Sequence, residues 1–133
     1  MSNLVVLDAS AGVEIVLRTT RGEALLARLE SFDAVVIAPS HFAVEAAGAL
    51  RRLEGAGEVG QDRARFALAR LTQLVTAAAV DELIIDAWAL RDNLTVADAV
   101  YVVLARRSGA ALMSIDERML RAPGLDDIRV LHS

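Results

Sequence analysis

The most constraining feature of this chain is a set of short apolar runs without polar alternation, set between segments of helical period. Leu4-Val5-Val6-Leu7 is aliphatic and β-branched throughout. Such a run reads as a strand buried on both faces, the signature of a parallel sheet. Residues 34–38 (A-V-V-I-A, halted by Pro39), 110–115 and 128–131 repeat the pattern. Between them the period becomes helical. The spacing predicts helices over 10–18, 22–31, 40–54, 61–77, 82–92 and 96–107. In 40–54, for example, Phe42, Ala46, Ala49, Leu50 and Leu53 share one face. Strands alternating with helices predict an α/β three-layer sandwich, with a central, mostly parallel sheet of four or five strands. No linker, repeat or low-complexity stretch interrupts the 133 residues, so one domain over 1–133 is expected.

Composition removes whole classes of chemistry. The chain has no cysteine, which excludes disulfides, thiolate metal sites and cysteine nucleophiles. Its fourteen basic residues are all arginine, so a Schiff-base or P-loop lysine is excluded. Two histidines, His41 and His132, leave little for an imidazole metal site or a Ser-His-Asp triad. No apolar run nears the ~18–20 residues that span a bilayer, and the first residues lack a basic, apolar leader. A cytoplasmic protein with no membrane association is the expectation. Gly55-Ala56-Gly57-Glu58-Val59-Gly60 matches a dinucleotide-binding glycine pattern, but it follows a helix rather than a strand. It is read as a helix–helix turn.

Four carboxylates stand in apolar surroundings. Asp8 closes the first strand run and Asp116 the third, and carboxyl ends of parallel strands share the edge where such folds bind ligands. Each could equally be the N-cap of a following helix. Glu45 is the only charge in Phe42–Leu50 and has no Arg or Lys three or four residues away. Burying it without neutralisation is costly, although a Glu at the margin of a core can also reach water. Asp98 follows Thr95 by three residues, which is a capping-box spacing as well as a ligand candidate. Hard oxygen donors of this kind suit Mg2+ or Mn2+. Crowded together without a cation they would raise one another's pKa.

These residues resemble a known family, the PIN-domain ribonucleases, specifically the VapC-type toxins of bacterial toxin–antitoxin pairs. The matching pieces are Val6-Leu7-Asp8-Ala9-Ser10, then Ala38-Pro39 with Val44-Glu45 and Ala49-Leu50-Arg51-Arg52. They continue with Leu90-Arg91-Asp92-Asn93-Leu94-Thr95 leading to Asp98-Ala99, and with Ser114-Ile115-Asp116 followed by Arg118 and Leu120. The set runs in order along essentially the whole chain. The resemblance implies a PIN-like fold and a metal-dependent endoribonuclease. It implies that Asp8, Glu45, Asp98 and Asp116 are the acidic quartet holding Mg2+ or Mn2+, with Ser10, Thr95 and Ser114 in support. It also implies an RNA substrate, a homodimer and a cognate VapB-type antitoxin that blocks the site. Ala97 departs from the pattern, because relatives often carry an aromatic just before the third acid.

Arg118 and Arg121 are candidate contacts for RNA phosphate. A net charge of −4 is poor for nonspecific nucleic-acid binding, an objection that weakens if the deficit is an acidic cleft filled by cations. Aromatics are 4% of the chain, so no stacking platform for single strands is expected. Alanine-rich faces near 43–49 and 64–69 are candidate dimer surfaces. Two other readings are a non-catalytic α/β module that binds a partner protein, which predicts no metal binding, and a phospho-receiver domain, whose family requires a lysine this chain lacks.

Overall fold

A computed structural model describes residues 2–132. It is a three-layer α/β fold around five parallel strands in the order β3-β2-β1-β4-β5. The elements run β1 (Leu4–Leu7), α1 (Ala9–Val16), α2 (Thr20–Ser31), β2 (Val35–Pro39), α3 (Phe42–Gly55), α4 (Gln61–Leu74) and β3 (Thr76–Ala78). A 3-10 turn (Val80–Glu82) then leads into α5 (Ile84–Trp88), α6 (Val96–Ser108), β4 (Ala111–Met113), α7 (Glu117–Leu120) and β5 (Val130–Leu131). The central strand is the one with the purest apolar run. Val5, Val6 and Leu7 are fully buried, and Val6 pairs with Ile37 on one side and Leu112 on the other.

Helix α6 is buried almost all round, from Ala99 to Ala105 without a break. It lies against β1, β2 and β4 and carries α5 on its outer side, while α1, α2, α3 and α4 pack on one another. Gly22 is what lets α2 meet α1, because a Cβ there would sit 1.9 Å from the Glu14 carbonyl oxygen. Among the described residues no helix is long and apolar enough to cross a membrane.

The largest correction to the sequence reading lies at 75–78. Helical periodicity over 61–77 stops at Leu74, Val75 turns extended (φ −113°, ψ 149°), and Thr76–Ala78 joins the sheet as the edge strand β3 beside β2. An alanine-rich segment favours helix locally, but pairing with Ile37, Ala38 and Pro39 overrides that preference. The helix expected over 82–92 reduces to the five-residue α5 followed by turns up to Thr95. The glycine run at 55–60 is the helix–helix turn between α3 and α4, with Gly57 at φ +75°.

Candidate active site

In a parallel sheet, the helices that return against the strands start at the strands' carboxyl edge. The four acids sit at these starts. Asp8 is the N-cap of α1 and Asp116 the N-cap of α7, while Glu45 and Asp98 lie in the first turns of α3 and α6. Helix N-termini favour negative charge, so each carboxylate is partly compensated although no lysine or arginine is bonded to it. All four line one pocket of about 340 Å³, together with Ser10, Ala49, Arg52, Thr95, Tyr101 and Arg118.

The strand-end pair is bound into the scaffold. Asp8 is 3% exposed and Ser114 wholly buried. Asp8 Oδ1 accepts from the Ala11 amide (3.0 Å) and the Ser10 hydroxyl (2.7 Å), and its Oδ2 accepts from the Ser114 hydroxyl. The same two hydroxyls accept from the loop after β4. Ser10 Oγ takes the Ile115 amide (3.4 Å) and Ser114 Oγ takes the Asp116 amide (3.0 Å). The serines therefore tie Asp8 to the loop that carries Asp116. Asp116 in turn accepts from the Arg118 and Met119 amides (3.0 and 3.4 Å). Capping and ligand duty are thus compatible alternatives for these two acids, since capping leaves both on the pocket wall.

The helix-borne pair is held differently. Glu45 Oε1 accepts from the Tyr101 hydroxyl at 2.6 Å, with His41 Nε2 at 3.4 Å. Burial, and then the bond to Glu45, push the Tyr101 phenol far up, so it remains the donor. His41 Nε2 also donates to the Ala97 carbonyl (2.9 Å), leaving Nδ1 buried without a partner. Ala97, the departure from the family pattern, therefore contributes its backbone. Thr95 Oγ1 accepts from the Asp98 amide (3.1 Å), capping α6.

Electrostatics reveal the crowding. Burial raises the Asp8 carboxyl above its ordinary value, against the hydrogen bonds from Ser114, Ala11 and Ser10, and the Asp116 charge adds to the rise. Burial also raises Asp98, with Asp116 and Glu45 adding to it and Thr95 and Arg118 opposing. Two carboxyls that resist ionisation, Asp8 and Asp98, on a pocket lined by four acids fit a hard divalent cation. Among the described residues no three His, Asp or Glu side chains are already gathered at the spacing of a metal's ligands. Asp8, Glu45 and Asp116 each give at least one carboxylate oxygen to a protein donor.

Arg118 lines this pocket. Arg121 does not: it pairs with Glu117 (3.1 Å) and lines a different groove with Arg21 and His132. Sequence reasoning did not assign roles to Tyr101, His41 or Arg52. A signal for the first existed, since Tyr101 lies three residues after Asp98 and so on a neighbouring part of the same helix surface.

The PIN-domain family model matches residues 5–125. Ribonuclease VapC3 of Mycobacterium tuberculosis is 41% identical over 120 residues, covering 89% of this chain and 86% of that protein. The chain belongs to the PIN-domain family, in its VapC group. Two solved structures share the fold. Mycobacterium tuberculosis VapC20, described as a sarcin-ricin-loop-cleaving toxin, aligns with a TM-score of 0.68 at 22% identity, over 94% of this chain and 98% of its own. VapBC2 from Rickettsia felis, solved bound to a DNA fragment from their promoter, aligns with a TM-score of 0.66 at 11% identity, over 96% and 97%.

Proposed function

We propose that this chain is the ribonuclease toxin of a toxin–antitoxin pair, an endoribonuclease dependent on Mg2+ or Mn2+ and restrained by a VapB-type antitoxin. The observation that carries the reading is that acids from four separate elements, spread from Asp8 to Asp116, line one pocket at the carboxyl edge of the sheet. Membership in the VapC group supports the toxin role and the antitoxin partner. Asp8, Glu45, Asp98 and Asp116 would hold the ion or ions. A bound divalent cation supplies Lewis acidity to a phosphodiester and a water activated for attack.

The chain's own groups do the rest. Asp8, fixed by three donors, sets the position of the site relative to the sheet. Glu45, with Oε1 engaged by Tyr101, keeps Oε2 for a ligand or a proton. Arg118 and Arg52 stand on the pocket wall to meet phosphate oxygens. Thr95 fixes the first turn of α6 and thereby Asp98.

A homodimer belongs to the same proposal. The alanine faces are partly spent inside the chain: Ala46, Ala64 and Ala67 are buried, whereas Ala69 is exposed. Self-association would draw on exposed side chains such as Val44, 75% exposed. Sedimentation showing only a 14 kDa species at micromolar concentration rejects the dimer. The reaction itself is tested with structured cellular RNAs, in Mn2+ and in EDTA. Cleavage in Mn2+ alone, lost in Glu45→Gln, is expected, and full activity in EDTA refutes the metal mechanism.

A further inference from the structure

Thr95, Asp98 and Arg118 are a shared wall. On one side lies the acidic pocket, and on the other a second groove of about 330 Å³, completed by Arg91, Asp92 and Asn93. The turn between α5 and α6 builds this groove and holds its shape. The Arg91 amide donates to the Trp88 carbonyl (3.2 Å), and the Asn93 and Leu94 amides both donate to the Leu90 carbonyl (3.1 Å). Leu94, 8% exposed, pins the turn to the core.

Arg91 is held rather than free to swing. Its guanidinium carbon lies 4.8 Å from the centroid of the exposed Trp88 ring, and one of its nitrogens donates to the Trp88 carbonyl at 3.0 Å. Among the described residues neither Arg91 nor Arg118 forms a salt bridge. Arg21, Arg106, Arg107 and Arg121 all do. Two arginines outside any salt bridge therefore line one groove that opens beside the acidic pocket, Arg118 also acting on the Asp98 charge. Between them, Asn93 offers both a donor and an acceptor, and Asp92 offers acceptors.

We propose that this groove is the subsite for the nucleotide next to the scissile phosphodiester, with its phosphate between Arg118 and Arg91 and its base edge read by Asn93 and Asp92. The inference rests on the ribonuclease reading and adds to it where the substrate's neighbouring residue sits. Guanidinium forks match phosphate oxygens, and amide and carboxylate groups read the Watson–Crick edge of an unstacked base. The Trp88–Arg91 pair is the local aromatic support that a composition of 4% aromatics gave no reason to expect.

The test maps cut sites in total cellular RNA with Mn2+, then uses an oligoribonucleotide spanning the strongest site. Arg91→Ala is expected to raise KM about tenfold with kcat within twofold. It should also flatten the plot of log affinity against log salt by about 0.7. Asn93→Ala should redistribute the base preference at the nucleotide flanking the cut. Both should keep the wild-type melting curve and its Mn2+-induced shift, which separates a substrate role from a structural or metal-binding one. Unchanged KM, salt slope and base preference in variants of an RNA-cleaving wild type overturn the subsite and leave the ribonuclease reading standing. A wild type that cuts no RNA in Mn2+ overturns both.

Discussion

The two acids at strand ends and the two on helices line the same pocket, yet the fold holds them in different ways. Asp8 and Asp116 cap helices, and two serine hydroxyls link Asp8 to the loop that carries Asp116. Glu45 and Asp98 do no comparable structural work. Glu45 takes one phenol and one imidazole, and the cap of α6 is provided by Thr95 rather than by the Asp98 carboxylate. The first pair fixes where the site is, and the second completes it. Substitutions should therefore separate the pairs, the first losing fold and function together and the second losing function alone.

The largest effect is expected at Asp8. Asp8→Ala removes the acceptor from the Ala11 amide and from the Ser10 and Ser114 hydroxyls. A lost cap and a buried hydroxyl without a partner should cost about 1–3 kcal/mol, after some relief from removing a buried charge. Cleavage should vanish with it, and thermal melts alongside RNA cleavage read both. Next come Glu45→Gln and Asp98→Asn. Each should reduce cleavage more than about 100-fold, beyond the loss typical of an outer-shell partner, with the melting midpoint nearly unmoved. Saturating Mn2+ should stabilise the wild type by about 2.7 kcal/mol at a hundredfold excess over Kd, and this shift should be absent in both variants. A wild-type Mn2+ shift in either would place its carboxylate outside the ligand set, and a midpoint drop like that of Asp8→Ala would erase the contrast between the pairs.

What could be read from the sequence follows the range of the forces involved. Leu4–Leu7 announced a doubly buried strand because Val5, Val6 and Leu7 are buried in succession, which leaves no alternation. Asp8 and Asp116 were legible as the polar residues that end such runs, and Glu45 as the lone charge in an apolar window. The link between Glu45 and Tyr101 was not legible, since it joins residues 56 apart and depends on how α3 and α6 meet. Strand β3 was hidden because Ala77 and Ala78 carry little strand preference and the segment is recruited by β2. Arg118 and Arg121 looked equivalent in sequence, but α7 is four residues long and the turn after it carries Arg121 to Glu117.

A smaller effect tests what orders the helix-borne pair. Tyr101 is 1% exposed, and Tyr101→Phe keeps its ring while deleting only the hydroxyl. Glu45 would then lose the donor that fixes Oε1. The expected outcome is a 10- to 100-fold rise in the Mn2+ concentration needed for half-maximal cleavage, the usual range for an outer-shell partner. In a Glu45→Gln background the same change should add almost nothing. Additive losses in the double variant would show that Tyr101 acts through packing rather than through Glu45.

The smallest effect concerns the metal-free stability of Asp98→Asn. The Asp98 carboxyl is raised by burial first and then by Asp116 and Glu45, against Thr95 and Arg118. A raised value in the folded state means that the charged form is disfavoured there. Below the unfolded value, about 3.9, both states are protonated and this disadvantage disappears. It grows as pH rises from there through the folded value. Asparagine is uncharged at every pH. Metal-free Asp98→Asn should thus melt slightly above the wild type at pH 7, and the difference should close by about pH 4. The gain is small, because a carboxylate at the start of α6 also gains about 0.3–1 kcal/mol from the helix dipole. Mn2+ should invert the order at pH 7 by stabilising only the wild type. Paired melts at pH 4 and 7, with and without Mn2+, read all of this. A variant less stable than the wild type at pH 7 without metal would mean that the dipole outweighs the crowding, and that Asp98 does more for the fold than its contrast with Asp8 allows.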